Sequence, residues 1–247
     1  MDAQDSQERT PLEWRVESPV DNVGRPHSIE SYMETLRNDG WTSIGRPGGF
    51  ARVFERNGMV TKVFRKDPAY LSYVRHVVGA SKNRALPQIS EIIEIVGHDE
   101  RFHHVVLERL NDFCPHLTRG DVTLEEIRTF AYHFAIAESS APGSFTFNDA
   151  YQTIYDAMTD DEKTALADII RIAQTQGWRA DLETWNVMLR GEDIVFVDPL
   201  LILHGELGFP SNGITRISEP LPGKGAKRVS KRRKKRNTGR RQATRAT

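Results

Sequence analysis

The sequence predicts an α+β chain of two lobes, strand-rich in its N-terminal part and helical in its C-terminal part, with disordered termini. Three observations predict it. From Trp41 to about Leu110, apolar residues come in short strand-like runs broken by turn signals such as Asn57-Gly58. From about Leu117 the pattern becomes helical, with two capping-box signatures, Thr123 with Glu126 and Thr159 with Glu162. A last pair of apolar runs, 187–189 and 194–197, flanks Gly191 and reads as a hairpin.

Taken in order, residues 1–27 are polar, carry Pro11, Pro19 and Pro26, and read as a flexible, mostly loop segment. A short helix follows Ser28, with Ile29, Met33 and Leu36 on one face and Asn38-Asp39-Gly40 as its stop. Runs 51–54 and 59–64 flank the Asn-Gly turn as two strands. Residues 69–78 read as a helix with Leu71, Val74 and Val78 on its apolar side. Runs 92–96 and 104–107 form a second strand pair, joined through Gly97-His98-Asp99. One helix runs from Thr123 to about Glu138, and another from Thr159 to near Gly177. The domain reading is a body over 28–223, divided near residue 110, followed by a disordered basic tail over 224–247.

Composition bounds the function. No apolar run approaches the length of a membrane span, and the acidic, polar start lacks the features of a secretory signal. Cys114 is the only cysteine, so neither an intramolecular disulfide nor a cysteine metal site is available, and a reducing cytoplasm is expected. The formal charge of zero hides an asymmetry. Residues 224–247 hold 12 of the 34 Lys and Arg and no Asp or Glu, which leaves 22 basic against 34 acidic residues in 1–223. The pattern is an acidic globule with a basic arm.

The chemistry concentrates in Asp181-Leu182-Glu183-Thr184-Trp185-Asn186 and the hairpin that ends at Asp198. Pairing the two apolar runs places the start of the first beside the end of the second, so Asn186 and Asp198 should converge. Asp181 lies in the loop leading in. Phosphoryl transfer from a nucleotide needs this set: a carboxylate and an amide oxygen for magnesium, and a second carboxylate to orient the attacking hydroxyl and take its proton. Asn186 and Asp198 are the candidate metal ligands and Asp181 the candidate base. An ordinary hairpin with surface carboxylates is the plain alternative.

The Asp-x4-Asn spacing, followed about a dozen residues later by an Asp closing an apolar strand, resembles the catalytic loop and metal-binding Asp of the protein-kinase-like superfamily. The N-terminal half adds to the resemblance. Gly45, Gly48, Gly49 and Phe50 look like a glycine-rich loop over phosphates. Lys62 sits inside an apolar strand between Val60 and Phe64, which share its face, and the phosphates of ATP would be its partner. By itself this lysine also fits an edge strand facing water. Residues 105–110 resemble the hinge between lobes, with Glu108 and Leu110 offering backbone to adenine. The resemblance therefore implies ATP and Mg2+ as cofactors, a catalytic Lys62 and a minimal two-lobe protein-kinase-like fold.

Departures from that superfamily narrow the resemblance. Arg179-Ala180 precedes Asp181, and Asp198-Pro199-Leu200 stands in place of Asp-Phe-Gly. The helix at 69–78 lacks the glutamate that normally pairs with the strand lysine, so Asp198 or ATP alone would hold Lys62. The body ends about 25 residues beyond Asp198, which leaves little room for a docking region. The early serine/threonine kinases of T-seven-like podophages share these departures, and the resemblance covers roughly 41–201 and the basic character of the tail. It implies transfer to Ser or Thr of host proteins in a bacterial cytoplasm, with RNA polymerase or RNA-processing enzymes among the partners, and a role in host transcription shutoff. Two alternatives are a non-catalytic inhibitor that binds RNA polymerase or nucleic acid through its tail, and a small-molecule phosphotransferase.

The tail, centred on residues 231–236, is expected to contact phosphate backbones without base stacking, since it has no aromatic residues. Ser230, Thr238 and Thr244 are candidate autophosphorylation sites within it. His103 and His104 read as structural, Trp178 and Trp185 as packing for the loop around Asp181, and Cys114 as a small apolar residue.

Overall fold

The structure is a computed structural model that describes residues 12, 14–20, 27–45, 51–65, 67–80, 82–97 and 100–202. Gly48, Gly49, Phe50 and the tail 224–247 lie outside the described residues, as does most of the segment before Ser28. All described residues belong to one compact unit.

The N-terminal half is one six-stranded sheet. Its strands are β1 (Trp14–Glu17), β2 (Thr42–Ile44), β3 (Ala51–Arg56), β4 (Met59–Phe64), β5 (Ile89–Val96) and β6 (Arg101–Glu108). They lie in the order β1-β5-β6-β4-β3-β2. Strand β1 runs parallel to β5, and every other neighbouring pair is antiparallel. Strand β1 falls within residues 1–27, where no strand was expected. A strand on the sheet edge borrows its pairing from β5, so it needs little periodicity of its own. Asn57 (φ 52°) and Gly58 (φ 75°) supply the two left-handed residues of the β3–β4 turn, as the Asn-Gly signal requires. Gly97 is needed for another reason: a Cβ there would lie 2.4 Å from the His27 carbonyl oxygen.

Strand alternation sorts the sheet into two faces. Helix α1 (Ile29–Asn38), capped by Ser28 Oγ accepting from Ser31 N at 3.2 Å, covers one face. There Ile29 and Leu36 meet Phe54, Val63, Ile93, Ile95 and Phe102. The other face carries Val60, Phe64, Ile92, Val105 and Leu107 and packs toward helix α2 (Pro68–Gly79) and the helical half. The α2 face differs from the expected one. Ala69, Tyr70, Tyr73, Val74 and Val77 are buried, while Leu71 and Val78 are only partly covered. Both stripes have helical spacing, and packing selected the aromatic one.

The helical half follows β7 (Thr118–Arg119) and β8 (Val122–Thr123), a two-residue pair. Helices α3 (Leu124–Ser140) and α5 (Asp160–Gln176) begin at the two predicted capping boxes, both of which form. Helix α4 (Asp149–Ala157), absent from the expected set, buries no residue fully. It attaches through Tyr151 and Tyr155, whose rings contact Phe130. Then come β9 (Arg179–Ala180), a 3-10 turn over Thr184–Asn186, β10 (Val187–Arg190), β11 (Asp193–Phe196) and β12 (Leu200–Leu201). The expected α+β architecture, strand-rich first and helical second, is the one observed. No helix among the described residues is long and apolar enough to cross a membrane.

One buried charge ties this half together. Glu162 is 0% exposed. Its carboxylate accepts from Thr159 N (2.9 Å), Ile194 N (2.9 Å) and both Arg119 amino groups (2.5 and 2.8 Å). Arg119 also donates to the Glu192 carbonyl at 2.6 Å. The cap of α5 is thus also the anchor of the β10–β11 hairpin. Removing one member of a buried pair strands the other without water. Glu162→Ala should therefore lower unfolding free energy by roughly 3–5 kcal/mol, read by urea denaturation. A loss comparable to that of an exposed glutamate would contradict this role.

Candidate functional site

Lys62 sits on β4, which lies between β3 and β6, so the edge-strand alternative is excluded. Its neighbours across the strands are Val53 and Val105. Its side chain is only 11% exposed, and a buried ammonium needs a partner. That partner is Asp198, whose Oδ2 accepts from Nζ at 2.6 Å. The ammonium also lies 3.4 Å from the centre of the Tyr70 ring and 5.6 Å from that of Phe64. The expectation that Asp198 would hold Lys62 in place of a helix glutamate agrees with this geometry. Glu91 and Glu94 are engaged elsewhere, with Arg15 and with Arg101 (3.0 Å).

The hairpin delivers Asp198. Val187 pairs with Phe196, and Gly191 (φ 65°) makes the turn. One step further out, Val197 N donates to Asn186 O at 2.9 Å. Beyond that, Asp181 N donates to Pro199 O at 2.8 Å, continuing into the pairing of Ala180 with Leu200. The residues flanking Asp198 are therefore pinned by the backbones of Asn186 and Asp181, which brings the three side chains to one place. Asn186, 6% exposed, donates from Nδ2 to Asp181 Oδ2 (2.9 Å) and to Asp181 O (3.0 Å). Its amide oxygen has no protein donor among the described residues. Helix α2 locks the far end, where Tyr73 OH donates to Phe196 O.

Electrostatics separate the carboxylates. Burial, Glu183 and Asp198 push the Asp181 carboxyl above its ordinary range, opposed by the hydrogen bond from Asn186. Burial likewise raises Asp67, which caps α2 by accepting from Tyr70 N at 3.0 Å. No group of three or more His, Cys, Asp or Glu gathers among the described residues in the manner of a metal site. Magnesium commonly binds through one or two carboxylates together with substrate phosphates. The free amide oxygen of Asn186 and the carboxylate of Asp198 form such a donor pair.

Between the sheet and the hairpin lies a cleft of about 440 Å³. Val53, Val60, Leu107 and Met188 form its apolar walls, and Lys62, Asn186 and Asp198 its polar end. Gly45, Glu108 and Leu110 line the same cleft. The Glu108 carboxylate is occupied by Arg190 and by Gln88 N (2.7 Å), so this residue offers a ligand its backbone only. Leu110 is 4% exposed, and its amide N–H has no acceptor among the described residues. A buried amide of this kind invites a ligand acceptor. Asn111 exchanges two 2.9 Å hydrogen bonds with Leu189, tying this connecting segment to the hairpin.

Several features were not legible beforehand. Trp185 does not pack the loop: it is 73% exposed and stands at the cleft, whereas Trp178 does pack against the core. Within the 3-10 turn only Asn186 is buried, and Thr184 and the Trp185 indole are left outside. Tyr70 and Asp67 join the site from α2, and only the Asp-Pro start of that helix hinted at a cap. His104 is structural, as expected. It is hydrogen-bonded to Tyr32 at 2.6 Å, and burial pushes it down to about 4, so it stays neutral.

No family model matches the chain, and no curated protein resembles it in sequence. Among solved structures, one similar chain is the crystal structure of an aminoglycoside-3'-phosphotransferase of type VIII. It is 15% identical, with 69% of this chain and 76% of that chain covered, at a TM-score of 0.32. A likeness that distant carries no argument about function.

The position of Asp181 makes a prediction. Its folded-state pKa lies above that of the unfolded chain, so the native state favours the neutral acid. The associated stability is complete below the unfolded pKa and is lost as pH rises through the folded pKa. Asp181→Asn should leave urea stability at neutral pH equal to or above that of the wild type, with the difference narrowing as pH falls toward 4. A large loss of stability at neutral pH would identify Asp181 as a structural residue.

Proposed function

We propose that this chain transfers the terminal phosphoryl group of ATP to a hydroxyl, as a protein-kinase-like enzyme acting on Ser or Thr side chains. The convergence of Lys62, Asp198, Asn186 and Asp181 at the polar end of an apolar cleft carries the reading. A plain hairpin with surface carboxylates would not bury a lysine against one carboxylate and an asparagine against another.

In this reading the apolar walls and the Leu110 amide receive adenine. Lys62, already desolvated, turns from Asp198 to the phosphates. Asn186 Oδ1 and the Asp198 carboxylate would hold magnesium, which would supply positive charge to offset that of the phosphates. Asp181 orients the acceptor hydroxyl and takes its proton as the new O–P bond forms. The bond between the γ-phosphorus and its bridging oxygen breaks, and ADP leaves. The raised pKa of Asp181 makes it a stronger base toward the acceptor hydroxyl. Positioning and charge placement supply most of the acceleration.

A protein acceptor is supported by the open mouth of the site, where Thr184 and Trp185 are exposed beside Asp181. The likeness of Asp181–Asn186 and Asp198-Pro199 to phage early kinases extends the proposal to host transcription and RNA-processing proteins. The basic residues 224–247 would then favour partners rich in nucleic acid. Labelled ATP with bacterial lysate tests the reading. Asp198→Ala and Lys62→Ala should each reduce protein labelling by about 100-fold or more, and Asp181→Asn by about 100- to 10,000-fold. Equal labelling by wild type and Asp198→Ala would sink it. Label appearing in an added aminoglycoside and not in protein would move the acceptor to small molecules.

A further inference from the structure

We infer that Tyr70 is a positioning residue for Lys62, its ring face standing where a carboxylate from the neighbouring helix would otherwise hold the ammonium. The inference rests on the proposed role of Lys62 in phosphoryl transfer, although its geometry does not.

Helix α2 carries no acidic residue between Pro68 and Gly79, yet it is the helix that faces Lys62. What it presents is the Tyr70 ring, 3.4 Å from Nζ to ring centre, a close cation–π contact. The ring is held from three sides. Asp67 caps the helix and accepts from the Tyr70 amide at 3.0 Å, which sets the residue's height. Phe64 stands against it at 5.0 Å and 86°, an edge-to-face contact. Tyr73 lies 6.5 Å away on the next turn, and its own hydroxyl is committed to Phe196 O. The ring is buried, and burial also keeps its phenol protonated, so Tyr70 meets the lysine as a neutral π face.

A carboxylate would hold Lys62 but compete with the phosphates for it. A ring attracts the cation without neutralising it. While Asp198 is occupied with magnesium, the ring would remain as the fixed contact that keeps the ammonium over the cleft. A lysine stem has four rotatable carbons and would otherwise reach for solvent.

The full-length, nucleotide-free protein is treated with an amine-acylating ester, and the rate of Lys62 modification is read by peptide mass spectrometry. Tyr70→Leu should be acylated several-fold faster at Lys62 than the wild type, whereas Tyr70→Phe, which keeps the ring, should stay within about twofold. In the ATP assay Tyr70→Leu should raise KM for ATP by about tenfold with a smaller effect on kcat, again rescued by Tyr70→Phe. Circular dichroism melts check folding, and Tyr70→Met replaces Tyr70→Leu if the latter is unfolded. Equal Lys62 acylation in wild type and Tyr70→Leu, or a Tyr70→Phe as fast as Tyr70→Leu, overturns the inference. A wild type without any phosphoryl transfer defeats the proposed function instead, and the acylation rates still decide this point.

Discussion

The ion pair between Lys62 and Asp198 is the constraint around which the molecule is organised. With only 11% of its side chain exposed, Lys62 needs its charge met from within the fold. The group that meets it comes from a hairpin 136 residues later in the chain. The sheet and the hairpin are thereby brought to a fixed separation, and the cleft is the space that remains between them. Partly buried ion pairs of this kind add little net stability, because desolvation offsets most of the attraction. The pair is better understood as a device for placement, and it leaves two charges poised to exchange partners when a polyphosphate arrives.

Placement on the hairpin side depends on backbone hydrogen bonds more than on side chains. Val197 N to Asn186 O extends the β10–β11 ladder, and Asp181 N to Pro199 O extends the β9–β12 pair. They draw a loop and a strand end into register, so that Asp181, Asn186 and Asp198 cannot separate without breaking main-chain bonds. Farther back, Glu162 holds the same hairpin through Ile194 N and, by way of Arg119, through Glu192 O. The α5 cap, the buried pair and the hairpin form one connected support.

The carboxylates of the site divide by environment. Asp198 faces a cation, while Asp181 sits among other acids, relieved by hydrogen bonds from Asn186 and the Glu183 backbone. Two acids of the same type are thus prepared for different work: one for holding positive charge, one for accepting a proton. On the opposite wall Tyr70 contributes attraction without charge, which keeps the lysine available.

By itself the sequence determined the local pieces: the capped starts of α1, α3 and α5, the Asn-Gly turn, the hairpin around Gly191, and the convergence of Asn186 with Asp198. Caps, turns and two-residue alternation act over a few neighbouring residues, so a single chain records them. The tertiary structure alone decided which stripe of α2 is buried, that Tyr70 meets Lys62, that Trp185 is left outside, and that Trp14–Glu17 becomes a strand. Each of these depends on what lies across the core from a residue, and helical or strand spacing allows more than one answer until distant segments pack. For the same reason the sequence left Lys62 open between an edge strand and a buried face, and its holder open between Asp198 and ATP alone, until the fold placed β4 inside the sheet and Asp198 against the ammonium.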